Sequence, residues 1–222
     1  RYEELNNEVV WTKDPELRFD YAIGGFDAAD TTDLNAAKAI CIRPDDPHIY
    51  VRSMYWIPQA VLDKQEAEGN RRERDNVPYS LWIQQGYMRT CPGNKCDKRI
   101  FLEWFKELRD TEDLYTLFIG YDPWHVDDTS KRNMELFVGK DYCIPIRQGA
   151  KTMSDPMYSF KGDLTANRIV NNDHPIDTWC RLNAAVRIDN NRNLTLDKKN
   201  NDKRNRIDGL AAELDAYIVL LN

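Results

Sequence analysis

No run of about eighteen apolar residues occurs in these 222 residues, which excludes a membrane-spanning helix. The opening Arg-Tyr-Glu-Glu-Leu-Asn-Asn has no apolar signal core either, and a cytoplasmic protein is expected. Cysteine is sparse and odd in number, five in a chain too long to need staples, so reduced thiols are the default. Cys91 and Cys96 are the one near pair, and with no second pair they make a poor zinc site. A Gly-x-x-x-x-Gly-Lys-Ser/Thr phosphate loop is absent, which removes the P-loop class of nucleotide hydrolysis. Excess positive charge is missing as well: the net charge of −6 argues against coating nucleic acid through bulk charge and leaves only local basic patches. One is Arg71, Arg72 and Arg74, and the other is Lys198, Lys199, Lys203, Arg204 and Arg206. The ordinary role of such a charge run is a solvated surface.

What is present suffices for a sizeable core, with 41% hydrophobic and 11% aromatic residues, and one large domain is expected. Residues 1–19 are polar and charged and read as a linker or arm, leaving 20–222 as the domain. Three apolar runs follow, Tyr21–Asp27, Leu34–Arg43 and His48–Ile57, separated by Thr31-Thr32-Asp33 and Pro44-Asp45-Asp46-Pro47, which predicts an antiparallel three-strand meander. Pro58 opens a helix that runs into a basic segment, Pro78–Tyr87 is a second short helix, and Lys98–Arg109 is amphipathic. Leu114–Tyr121 is nearly continuously apolar, the mark of a central strand covered on both faces. A helix over Asp128–Phe137, a strand over Tyr142–Ile146 and a helix starting at Ser154 come next. Between Asn171 and Asn201 Asn and Asp dominate, and the reading is irregular chain with one hairpin. The last helix spans Arg204–Leu221, its inward face set by Ile207, Leu210, Ala211, Leu214, Ile218 and Leu221.

Three acids occupy corresponding places: Asp27 ends the first strand, Asp122 ends the central one, and Asp208 stands near the start of the last helix. Each residue type is common in turns and caps, so any one of them alone is unremarkable. Asp27 is the least ordinary, because a strand that buries Ala22, Ile23 and Phe26 gives a carboxylate at its end little purpose unless a cation meets it. Carboxylates gathered in one crevice repel unless a divalent cation is present, and hard oxygen ligands suit Mg²⁺ or Mn²⁺. Two such ions activate water and stabilise the leaving oxygen of a phosphodiester, which is nuclease chemistry. Asp33 is a further candidate that reaches the metals if the turn is tight. His125 is a candidate for orienting water, and Asp215, roughly 10 Å up the helix axis from Asp208, is too far to share one ion with it.

The chain resembles the nuclease domain of the large terminase subunit of tailed bacteriophages. The resemblance spans roughly Tyr21 to the C-terminus and rests on Gly-Gly-Phe-Asp-Ala-Ala-Asp-Thr-Thr-Asp-Leu, Val-Pro-Tyr-Ser-Leu-Trp-Ile-Gln-Gln-Gly, Ile-Gly-Tyr-Asp-Pro-Trp, Gln-Gly-Ala-Lys-Thr-Met-Ser-Asp-Pro-Met, His-Pro-Ile-Asp-Thr-Trp and Arg-Ile-Asp-Gly-Leu-Ala-Ala, in that order. It implies an α/β fold of RNase H-like type: a mixed sheet, antiparallel meander plus parallel strands, flanked by helices. It also implies metal-dependent endonuclease activity on concatemeric viral double-stranded DNA with two Mg²⁺ or Mn²⁺ ions. Asp27, Asp122 and Asp208 match the family's metal-binding acids, and Asp33 an additional acid found in some members. Lys198, Lys199, Lys203, Arg204 and Arg206 are the candidates for holding flanking phosphates, so cutting would show little sequence preference and fall with salt. The resemblance further implies an ATPase motor in the full-length protein, a small terminase subunit and a portal as partners, and action in the cytoplasm of the bacterial host. Two other classes stay open: an actin-like ATPase fold, which Asp27 to Asp33 partly mimics, and a non-catalytic DNA- or protein-docking module.

Overall fold

A computed structural model of the chain describes residues 17–29, 34–68, 77–202 and 204–222. The expected meander is present. β1 (Tyr21–Asp27) pairs antiparallel with β2 (Asn35–Arg43), and β2 with β3 (Asp46–Pro58). Parallel strands extend it on both sides, β4 (Met88–Cys91) beside β3 and β5 (Tyr115–Tyr121) beside β1, with β6 (Cys143–Pro145) outside β5. The order is therefore β4-β3-β2-β1-β5-β6, and a two-residue strand, β7 (Ile169–Val170), also lies on β3. This is the mixed sheet that the resemblance implies.

Alternation along β1 assigns its two faces. Ala22, Gly24 and Phe26 face α3 (Arg99–Glu112), whose Phe101, Leu102, Trp104, Phe105 and Leu108 are buried at helical spacing. Phe26 stacks on Phe101 with ring centroids 4.5 Å apart, and Trp56 meets the same ring edge-on. Ile23, Gly25 and Asp27 face the other way, toward α7 (Asp208–Leu220). α7 is buried almost all round, unlike a surface helix with one wet face. It reaches the sheet by close backbone approach: a Cβ on Gly25 would overlap the carbonyl of Ala212, and one on Gly120 the carbonyl of Asp215. Glycine is required at both places for α7 to lie where it does.

α1 (Gln59–Glu68) and α2 (Tyr79–Gln84) precede α3 in the chain, and α4 (Asp128–Val138) and α5 (Ala150–Thr165) follow it. α4 is capped by Asp127, whose carboxylate accepts from the Ser130 amide. α5 begins at Ala150, four residues before the expected start at Ser154, so Pro156 lies inside the helix instead of opening it. A larger difference concerns residues 171–201, where the structure has α6 (Pro175–Asn183) as well as the hairpin of β8 (Ala184–Ile188) and β9 (Leu194–Lys198). Pro175 sits in the first turn of α6, where its missing amide costs nothing, and Ile176 and Cys180 turn inward. The last helix starts at Asp208, after 205–207 in extended or irregular chain. Cys91 and Cys96 are joined by a disulfide, with Cα atoms 5.2 Å apart, which corrects the expectation of reduced thiols; Cys41, Cys143 and Cys180 are free and buried.

α6 is fastened to the meander by a buried polar network. Lys38, on β2, is fully buried and donates to Asp177 of α6 at 2.5 Å, to Ser53 at 2.8 Å and to Tyr55 at 3.0 Å. Ser53 and Tyr55 themselves donate to Asp177, at 2.8 and 2.6 Å. Burial alone would raise the Asp177 carboxyl, but the Lys38 charge and these donors hold it below its ordinary value. His174 is wedged between Tyr55 and Tyr87 with its Nδ1 3.5 Å from Asp177. Burial pushes its pKa down to about 4, aided by the charges of Lys38 and Arg52 and opposed by Asp177, so the folded state holds the imidazole neutral.

This has a pH consequence. The unfolded chain takes up a proton on His174 near pH 6.5 and the folded chain only near 4, so stability is complete above 6.5 and declines as pH falls toward 4. Urea unfolding at pH 7.5 and pH 5 should differ by about 2 kcal/mol from this residue. In a His174→Gln variant that share of the difference should disappear. An unchanged pH slope would show that His174 titrates normally.

Candidate functional site

β1 and β5 run parallel, and their pairing carries one irregularity. Ala22 faces Thr116 but Ile23 faces Phe118, so Leu117 is an extra residue, a bulge that pairing skips. From Ile23 and Phe118 the ladder continues unbroken to Phe26 and Tyr121. The next residues, Asp27 and Asp122, therefore leave adjacent strands side by side, at a spacing set by the sheet at about 4.8 Å. Both follow a residue of the α3 face and so turn toward α7. Asp122 is extended and largely buried, and one of its oxygens accepts the Trp124 amide at 3.0 Å, which fixes the carboxylate at the start of the short helical turn Pro123–His125. The His125 ring lies 3.9 Å from its other oxygen. Trp124 is 85% exposed beside it. Asp27 is half-buried.

α7 contributes two acids at different points along its length. Asp208, in the first turn, is buried; its charge acts on Cys180 and Tyr79, and the neighbouring Gly209 lies against the Tyr55 hydroxyl, over β3. Asp215 is two turns further on, over Gly120 of β5, and is 1% exposed. Burial drives its carboxyl well above the usual carboxylate range, the charge of Asp27 adds to this and that of Asp122 contributes, while a hydrogen bond from Gln148 Nε2 at 2.7 Å opposes. Its other oxygen, Oδ2, is buried without a hydrogen-bond partner. Asp215, which spacing along the helix had set aside, thus shares the electrostatic environment of Asp27 and Asp122. The apolar neighbours of Asp215 on α7, Leu214, Ala216 and Ile218, and the polar Gln148-Gly149 entry to α5 are the signals that bear on it.

Among the described residues no three carboxylate, histidine or cysteine side chains already converge as a closed metal cage. The donor chemistry nevertheless fits a hard divalent cation: oxygen ligands, closely spaced negative charge, and a buried carboxylate oxygen with nothing bonded to it. Asp33, Lys203 and the trio Arg71, Arg72 and Arg74 lie outside the described residues, as does nearly all of the arm expected over residues 1–19. Of the other basic candidates, Lys198 ends β9, Lys199 is exposed just beyond it, Arg204 pairs with Asp202 at 2.7 Å, and Arg206 donates to Tyr79. Two shallow depressions of the surface are lined from α3, α4, β4 and the segment after β4, on the opposite face of the sheet from the carboxylates. No helix among the described residues is long and apolar enough to cross a membrane.

Comparisons with known proteins bear on the family and the fold. The sequence matches the family described as terminase large subunit, endonuclease domain, over residues 8–221. It is 28% identical over 188 residues to the terminase large subunit of Enterobacteria phage HK97, in an alignment covering 85% of this chain and 35% of that protein. The chain thus spans about a third of the length of the curated relative it matches. The crystal structure of the HK97 bacteriophage large terminase superposes with a TM-score of 0.76 at 23% identity, covering 98% of this chain and 42% of that one. The crystal structure of the large terminase nuclease from thermophilic phage G20c with bound magnesium gives a TM-score of 0.51 at 11% identity, covering 89% and 80%. The shared fold is RNase H-like.

Proposed function

This chain belongs to the family of terminase large-subunit endonuclease domains, and from that membership we propose that it cuts viral double-stranded DNA by metal-dependent hydrolysis of a phosphodiester bond during genome packaging. The observation that carries the reading is the exit of Asp27 and Asp122, side by side, from adjacent parallel strands beneath a buried helix. We assign Asp27, Asp122 and Asp208 to holding two Mg²⁺ or Mn²⁺ ions, with Asp33 as a further candidate. Ions held there supply a Lewis acid for the phosphoryl oxygens and lower the pKa of the attacking water. The chain's own part is to fix the ligands. Asp27 is anchored by the ladder to Ala36 and Asp122 by the Trp124 amide, so neither has to be ordered when substrate arrives.

Lys198, Lys199, Lys203, Arg204 and Arg206 are assigned to flanking phosphates, which gives little sequence preference. In the longer protein the domain works beside an ATPase motor, with a small terminase subunit and a portal as partners, in the host cytoplasm. The test is cleavage of supercoiled plasmid. Nicking and linearisation are expected in Mg²⁺ or Mn²⁺ and none with EDTA. Tight DNA binding without cutting in either metal would instead identify a docking module.

A further inference from the structure

Asp215 presents a carboxylate whose position serves no visible structural purpose. It is 1% exposed, Gln148 occupies Oδ1, and Oδ2 has no partner. A buried acid left half-satisfied beside two other carboxylates costs stability, and an asparagine or a small apolar residue would fill the place more cheaply. A cation at Oδ2 would supply the missing partner and offset the cost of the charge. We propose that Asp215 is a metal ligand of this site, acting with Asp122 on one ion while Gln148 holds its other oxygen in position. The proposal rests on the reading of Asp27 and Asp122 as metal ligands. It does not displace Asp208: an offset of seven positions separates their Cα atoms by about 10 Å along α7, so the two acids would serve different ions, each at its own end of the site.

The geometry of the sheet gives this a firm basis. Asp215 lies where α7 crosses Gly120, two residues before Asp122 on the same strand, and the lack of a side chain at Gly120 lets the helix come down onto that strand. Gln148 comes from the segment after β6, whose Ile146 amide bonds to the Tyr121 carbonyl at 2.8 Å. Gln148 and Asp122 are therefore held close to the same strand end, from neighbouring strands; Asp215 accepts a hydrogen bond from the first and feels the charge of the second. Of the other acids of α7, Glu213 pairs with Arg181 in the interior, and the charge of Asp208 is felt by Cys180 and Tyr79.

The experiment is a titration of the metal-free chain with Mn²⁺, following the loss of the free-ion electron paramagnetic resonance signal, on wild type, Asp215→Asn and Asp27→Asn. Loss of an outer-shell partner of a metal commonly weakens affinity 10–100-fold, so loss of a ligand should weaken at least one Mn²⁺ site by roughly tenfold or more in Asp215→Asn. Asp215→Ser, which removes the carboxylate with less bulk, is titrated beside it, with circular dichroism as the check on folding, so that a misfolded asparagine variant does not decide the matter. Wild-type affinity and stoichiometry in a folded Asp215 variant, with binding lost in Asp27→Asn, would overturn the role of Asp215 alone. Wild-type binding in Asp27→Asn as well would overturn the metal site and this inference with it.

Discussion

Replacing Asp27 by asparagine should reduce plasmid cleavage to the level left by a chelator, with no loss of thermal stability. The two halves of this result have separate causes. Asparagine keeps the shape of aspartate, and residue 27 is held by its backbone pairing with Ala36, which the side chain does not influence. Removing its charge also relieves Asp215, whose carboxyl is raised by burial first and by Asp27 next, so the midpoint of unfolding should stay or rise. Activity has no such compensation. An amide oxygen is a weaker ligand for a hard cation than a carboxylate, and loss of a single preorganised electrostatic contact already costs ~10²-fold or more in rate. The measurement is nicking of supercoiled plasmid over time in Mn²⁺, with thermal unfolding of the same preparation. Cutting at the wild-type rate would remove Asp27 from the reaction. Loss of both cutting and stability would make its role structural.

The largest change in stability is expected at Lys38. Its ammonium is fully buried and forms three contacts, and Asp177 accepts from Lys38, Ser53 and Tyr55. Lys38→Met fills most of the same volume but leaves Asp177 as an uncompensated buried charge, a change that costs about 3–5 kcal/mol. For a chain of this length that is a fall in melting temperature on the order of 10 °C. The double variant Lys38→Met with Asp177→Leu removes both charges together and should recover much of the loss. Guanidinium unfolding of the two single variants and the double variant makes this a complete cycle. A double variant as unstable as Lys38→Met would mean that the packing of the methylene stem, not the ion pair, holds α6 to the sheet.

Much of this was legible in the sequence, for identifiable reasons. The meander showed itself because its turns carry Asp and Pro, and β5 because seven nearly unbroken apolar residues suit a strand between two others. Asp27 and Asp122 stood out as acids ending apolar strands. Their adjacency was not legible, since it depends on which strands pair and in which register. α6 was hidden because Asn and Asp dominate its surroundings, although Pro175, Ile176 and Cys180 carry its signal. Lys38 reads in sequence as the polar residue of an alternating strand, and only the docking of α6 reveals it as interior. Asp215 was set aside for its distance from Asp208, a correct length along the helix that says nothing of its nearness to Asp27 and Asp122. The disulfide escaped because a rule about compartments says nothing of two cysteines brought together by the turn after β4.

The skipped residue in β5 also divides that strand by its tolerance to changes of length. Leu117 is 42% exposed and unpaired with β1, and Thr116 and Phe118 on either side of it already point to opposite faces. A gene that lost this codon would still align Phe118 with Ile23 and everything downstream with its present partner. Loss of a codon from Ile119 to Tyr121 would instead keep Asp122 in register only by using up the bulge, which turns Phe118 and each residue up to the gap to the other face of the sheet. One strand therefore contains a place where evolution is free to count loosely, followed by three positions, Ile119 to Tyr121, where it is not.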